Sequence, residues 1–382
     1  MRSIILGTLL LLYCSATNAS DTSYARRVID TLSSPFFWGR GYTEDGMKKT
    51  ALYIEHEFEM LKTMPFFLGK YQQHFSYPVN TFPGKMALTI NDKELKPGRD
   101  FLVGNESKSC KAKGSVGQAD SVSWVNPQER IVINLVDKLT WNVDREQADY
   151  TSFKVLKTAL GDAPKTFAAT VDSKLLKSFD AANVAAMVKG TSGTDSVMVF
   201  TAHYDHLGGM GKDTYFPGAN DNASGIGLML SLAKYYAAHP QRYTIVFIAF
   251  AGEEAGLVGS KYFVEHPPLD IKKIRFLTNL DLMGNGEEGV TVVNATEFTK
   301  DFALLQKLNT EGNLLAAVNS RGKAANSDHH WFTEKGVPSF FIYTLGKRKC
   351  YHDVEDVAAT LPNYELEDLQ TLLVRFYDHI LK

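Results

Sequence analysis

Apolar residues follow three successive patterns along this chain. Between about Ser20 and Lys62 they keep helical spacing, with Ala51, Ile54, Phe58 and Leu61 on one stripe, which predicts a helical N-terminal segment. From Tyr71 to about Val171 short alternating runs are punctuated by Phe82-Pro83-Gly84 and Lys96-Pro97-Gly98-Arg99, and this stretch predicts a small β-rich excursion. Beyond it, apolar runs alternate with helical segments. Val184–Lys189, Ser196–Ala202, Tyr243–Ala251, Arg275–Leu280 and Val337–Thr344 predict strands. Ser224–Ala238, with Ile226, Met229, Leu230, Ala233 and Ala237 on one stripe, predicts a helix, and Tyr364–Leu381 another. This alternation predicts an α/β fold: a mixed, mostly parallel sheet with helices on both faces, interrupted at about 71–171 by the β-rich excursion.

The first residues follow a different rule. Arg2, the apolar run Ile4 to Tyr13 and the small-residue site Thr17-Asn18-Ala19 predict a signal peptide over residues 1–19, a mature domain over 20–382, and a secreted or periplasmic protein. Cys14 could carry a lipid instead, but bulky Tyr13 stands where lipoprotein signals carry a small residue. A spanning helix needs about 20 apolar residues, and no segment supplies them, so no stable membrane insertion is expected. A chain of 382 residues that is 44% hydrophobic can bury a sizeable core without staples. Its formal net charge of −2, without a basic stripe, argues against a nucleic-acid partner. Loss of Cys14 leaves Cys110 and Cys350, which form one disulfide or remain two buried thiols.

The residues with chemical potential share one placement: each follows an apolar strand or lies in a loop beside one. Ligands of open α/β sheets bind outside those strand ends. Ser196–Ala202 delivers His203-Tyr204-Asp205, a neutral imidazole suited to zinc with a carboxylate placed to accept its other ring N–H. Asp221, in Pro217-Gly218-Ala219-Asn220-Asp221-Asn222-Ala223-Ser224-Gly225, is either a helix cap or a carboxylate shared by two metals. Tyr243–Ala251 runs into Glu253 and Glu254, and buried charges need partners. A metal would serve Glu254, and an activated water would serve Glu253 as general base. Asp281 follows Arg275–Leu280 and His352 follows Val337–Thr344; taken singly, these read as a cap and a surface histidine. Taken together, with Asp221 shared, the set divides into His203, Asp221 and Asp281 for one Zn²⁺ and Glu254, Asp221 and His352 for a second. Three protein ligands plus water is the open arrangement of catalytic zinc.

At these residues the sequence resembles the co-catalytic two-zinc aminopeptidases, whose relatives include glutamate carboxypeptidase and glutaminyl cyclase. The resemblance spans roughly Asn183 to the C-terminus. It rests on His203-Tyr204-Asp205-His206, Asn220-Asp221-Asn222-Ala223-Ser224-Gly225, Gly252-Glu253-Glu254, Asn279-Leu280-Asp281 and Tyr351-His352. It implies peptide substrates, two Zn²⁺ per chain on the ligands above, and Glu253 in the general-base position, with Asp205 beside it. Ser327-Asp328-His329 also resembles a family motif near the substrate pocket, and reads equally well as a helix N-terminus. The segment Tyr71–Val171 loosely resembles a protease-associated insert. Two rivals remain on sequence grounds: a glutaminyl cyclase-like single-zinc acyltransferase and a non-catalytic binding ectodomain of the same fold.

Overall fold

The computed structural model describes residues 22–363 and 365–381. The expected signal peptide and Cys14 lie outside the described residues.

The N-terminal segment folds as two helices rather than one run. In α1 (Thr22–Leu32) Ala25, Val28, Ile29 and Leu32 face inward, and in α2 (Gly46–Met60) Met47, Ala51, Ile54 and Phe58 do so. Between them Pro35–Arg40 forms a tight turn in which Trp38, Gly39 and Arg40 adopt positive φ. Backbones approach closely here: a Cβ on Gly39 would come within 2.5 Å of the Gly208 and Phe216 carbonyl oxygens, and one on Gly41 within 2.3 Å of the Gly208 Cα. That approach drives the Arg40 side chain into the interior.

A nine-stranded mixed sheet forms the centre of the molecule. β1 (Gln72–Thr81) pairs antiparallel with the long β2 (Lys174–Val188). β3 (Val197–His203), β4 (Thr244–Phe250), β5 (Ile274–Leu280) and the later strand Ser339–Thr344 are mutually parallel, in the order β4-β3-β5-Ser339–Thr344. β6 (Val290–Val293) and β7 (Val318–Ser320) close the far edge, and Ser339–Thr344, hereafter β8, pairs antiparallel with β6. Alternate residues of β3 serve opposite faces. Met198, Phe200 and Ala202 join the core under α1, α2, α3 (Gly225–Ala238) and the C-terminal helix Leu366–Ile380. Val197 and Val199 join a second core under the helices Val258–Glu265 and His329–Glu334. Burial on both faces explains why β3 is almost continuously apolar.

The β-rich excursion leaves the central sheet after Thr81 and returns at Lys174, so β1 lies within the expected 71–171 stretch yet belongs to the main sheet. Its remaining strands build a five-stranded and a four-stranded sheet around a separate core that includes Phe101, Trp141 and Phe153. Cys110 and Cys350 are free thiols, each half-buried. No helix among the described residues is long and apolar enough to cross a membrane.

Candidate metal centre

Because β3, β4, β5 and β8 are parallel neighbours, their carboxyl ends open on the same edge of the sheet. His203 ends β3, Glu253 and Glu254 follow β4, and Asp281 follows β5. The loop after β8 brings His352, and the irregular turn before α3 brings Asp221, whose φ of −107° and ψ of 99° break the helical path. His203, Asp221, Glu253, Glu254, Asp281 and His352 converge here, in a cavity of about 320 Å³ that Leu282, Arg321, Asn326, Phe341, Tyr343 and Tyr351 help to line, while Asp205 lies buried behind it.

Asp221 sits at the centre. Its Oδ1 is 3.5 Å from His203 Nε2, and its Oδ2 is 3.3 Å from His352 Nε2. His203 Nε2 also lies 3.4 Å from Asp281 Oδ1, and His352 Nε2 lies 3.2 Å from Glu254 Oε2. Asp281 Oδ1 is buried without a hydrogen-bond partner. Each Nε2 thus faces two carboxylate oxygens at 3.2–3.5 Å, at or beyond the long end of ordinary hydrogen bonds, a spacing that leaves a cation room between them. Ligand-capable atoms of His203, Glu253 and Asp281 lie within 4.8 Å of one another, as do those of His206, Asp221 and Glu254.

The electrostatics point the same way. Against the cost of burial, Glu254 and Asp221 push His352 up to about 11, and Asp281, Glu253 and Asp221 hold His203 well above the ordinary histidine value. Burial raises Glu253 well above the carboxylate range; His203 opposes this, and Glu254, Asp328 and Asp281 add to it. Glu254, though buried, is held low by His352 and His206. A nest of carboxylates that raises both His203 and His352 against the cost of burial is a cation site in chemical character.

The supporting contacts differ from expectation at Asp205. His203 Nδ1 meets the Asp205 backbone carbonyl at 3.1 Å, while the carboxylate Oδ1 is 3.9 Å away. That carboxylate instead accepts the backbone N–H groups of Glu253 and Glu254, at 3.1 and 3.2 Å. The extended end of β3 aims the side chain across to the β4 loop rather than back at its own strand. Asp205 therefore fixes where the two glutamates sit, and burial raises it to about 7 despite His203.

Five further contributors escape a reading of local sequence. His206, fully buried, places Nδ1 2.7 Å from Glu254 Oε1. The Arg40 guanidinium donates to the carbonyls of Leu32, Tyr204, Pro217, Gly218 and Asp221, and so clamps the Asp221 turn from behind. The Asp356 carboxylate accepts the N–H groups of Asn220 and Asp221 on its other side. His352 Nδ1 is steadied by Trp141 O at 2.8 Å and Asn142 Oδ1 at 2.9 Å, both from the β-rich lobe. Of the Ser327-Asp328-His329 motif, Ser327 donates to Asp281 Oδ2 at 3.2 Å, while Asp328 and His329 are buried at the start of a helix without a side-chain cap.

The profile of peptidase family M28 matches residues 183–377. A stretch of 168 residues, 42% of this chain, is 32% identical to aminopeptidase YwaD of Bacillus subtilis (strain 168) and spans 36% of that protein's length. Among solved structures, BSAP, a zinc aminopeptidase from Bacillus subtilis, superposes with a TM-score of 0.68 at 19% identity, over 94% of this chain and 95% of that one. An Acidobacteriales bacterium glutaminyl cyclase superposes with a TM-score of 0.58 at 15% identity, over 100% and 98%. Likeness at that level of identity is likeness of fold.

Proposed function

The chain belongs to peptidase family M28, and from that premise we propose that it is an aminopeptidase that holds two Zn²⁺ ions and hydrolyses the N-terminal peptide bond of peptides. The observation that carries this reading is the division of the Asp221 carboxylate, one oxygen facing His203 and the other facing His352. His203, Asp221 and Asp281 would hold one ion, and His352, Asp221 and Glu254 the other. Imidazole nitrogens and carboxylate oxygens, three donors to each ion, suit catalytic zinc. When bound, the ions would lower the pKa of water and polarise the scissile carbonyl.

The chain's own groups supply the rest. Glu253, whose carboxyl is raised by burial, takes the proton of the attacking water and returns it to the departing amine. Asp205 keeps Glu253 in place through its backbone N–H, and Ser327 steadies Asp281. The glutaminyl cyclase fold is similar, so single-ion cyclisation is the rival, and the completeness of both ligand groups favours hydrolysis. Elemental analysis should find two zinc ions per chain, and short peptides should release their first residue. Glu253→Gln should keep both ions and lose at least about 100-fold in kcat. One ion per chain, together with cyclisation of N-terminal glutamine, would overturn the reading.

A further inference from the structure

A second cavity, also about 320 Å³, adjoins the metal cavity and shares Leu282, Tyr343 and Tyr351 with it. Its charged lining is of one sign: Lys138, Arg348 and Lys349, with no aspartate or glutamate. Arg348 is paired, to Asp356 at 2.7 Å. The two lysines have no carboxylate partner among the described residues. Lys138 Nζ donates to the Lys349 carbonyl at 2.7 Å, and Lys349 Nζ donates to the Gly346 carbonyl at 3.3 Å. At the boundary of the two cavities Tyr343 carries Arg321, whose Nη1 donates to the Tyr343 hydroxyl at 3.2 Å and which also lacks a carboxylate partner among the described residues. Two acids stand outside the lining: buried Asp356, already engaged by Arg348, and exposed Glu287, which packs against Gly346.

Unpaired ammonium groups in a concave site focus positive potential and attract anions. An exopeptidase that removes one residue has a single residue before the scissile bond, so a chamber beyond the reacting centre serves the part of the substrate that leaves. We propose that this chamber is a subsite for a carboxylate on the leaving side of the scissile bond, with Lys138 of the β-rich lobe and Lys349 as specificity-determining residues. The carboxylate is either the C-terminus of a short peptide or an Asp or Glu side chain. The inference rests on the peptidase reading above and names the substrate class of that site: short or acidic peptides.

The zinc-loaded protein would be tested on peptides that keep one accepted first residue. One arm compares a dipeptide acid with its amide, and the other compares Glu with Gln and Lys at the second position of an amidated tripeptide. At least about a tenfold advantage in kcat/KM for the carboxylate partner is expected in one arm, the scale of a charge-assisted contact, and the arm that responds identifies its source. Lys138→Glu and Lys349→Glu should shrink that ratio and move preference toward lysine, and raised salt should shrink it in the wild-type protein. Because each ratio is internal to one protein sample, lowered variant stability does not mimic the effect. Hydrolysis without charge preference, or a preference that neither salt nor the lysine variants alter, overturns this inference and leaves the peptidase reading standing. No release from any peptide overturns both.

Discussion

Arg40 shows how one residue can hold the candidate centre without touching the side chain of a proposed ligand. Burial lowers its guanidinium to about 10, against the pull of Asp221, Asp356, Asp205 and Glu254, so it stays charged near neutral pH. Its five contacts are all to backbone carbonyls, four of them in the two loops that carry His203 and Asp221. A lysine could reach one or two of these carbonyls but not the planar spread. Each buried acceptor left unpaired costs roughly 1–3 kcal/mol. Arg40→Lys should therefore lower the Tm by several degrees and weaken zinc binding, measured by competition with a chromophoric chelator. Unchanged affinity would show that the Asp221 turn holds itself. The candidates His203, Glu253 and Asp281 stand out in the sequence because each follows an apolar run, as Glu253 does after Phe250 and Asp281 after Leu280, whereas Asp221 and His352 sit in loops and are singled out only by the set as a whole. Arg40 does not stand out, since four of its acceptors lie 164 to 181 positions away and no local pattern marks it. His206 stood inside a quoted motif, but its contact with Glu254 crosses 48 positions, which only the packing of β3 beside β4 creates.

At the scale of elements, the parallel strands were legible and the edges were not. β3 and β4 are covered on both faces and so read as nearly unbroken apolar runs, and β5, though interrupted by Arg275, Thr278 and Asn279, is also placed, all within a residue or two of their observed limits. β6 and β7, with four and three residues, are too short for any periodicity. The first half of β2 was also missed, because it lies on the rim with alternating exposed residues such as Lys174 and Lys177. The β-rich lobe was visible as a change of pattern, whereas its reach into the metal centre was not. Trp141 and Asn142 follow the strand Ile131–Val136 and arrive at His352 only through tertiary folding. Supporting contacts of this kind are worth about 10–100-fold in metal affinity. Asn142→Ala leaves the Trp141 carbonyl in place, so its cost should fall at the low end, about tenfold, in zinc affinity and in peptide hydrolysis alike. A loss confined to hydrolysis would instead mean that Asn142 acts on substrate.

For the whole molecule, the centre gathers Asp205, Asp221, Glu253, Glu254 and Asp281 around three imidazoles at the junction of sheet, helices and lobe. Five acids against three bases store repulsion in the fold whenever cations are absent, and metal bound only by the folded state adds stability by mass action, about 4 kcal/mol at a thousandfold excess over Kd. The pH sign follows from the shifts. In the zinc-free protein His352 is raised to about 11, so protonation stabilises the fold fully below the unfolded histidine value of 6.5 and fades as pH climbs toward 11. Asp205, raised to about 7, acts in the same direction: its contribution is full below 3.8 and is lost through pH 7. Zinc competes with the His352 proton, so its affinity rises over the same interval. The gap in Tm between zinc-loaded and chelated protein should therefore widen steadily from pH 6 to pH 8 in calorimetric scans. A gap that narrows, or a Tm indifferent to chelator, would mean that the acidic cluster is neutralised by something other than a bound cation.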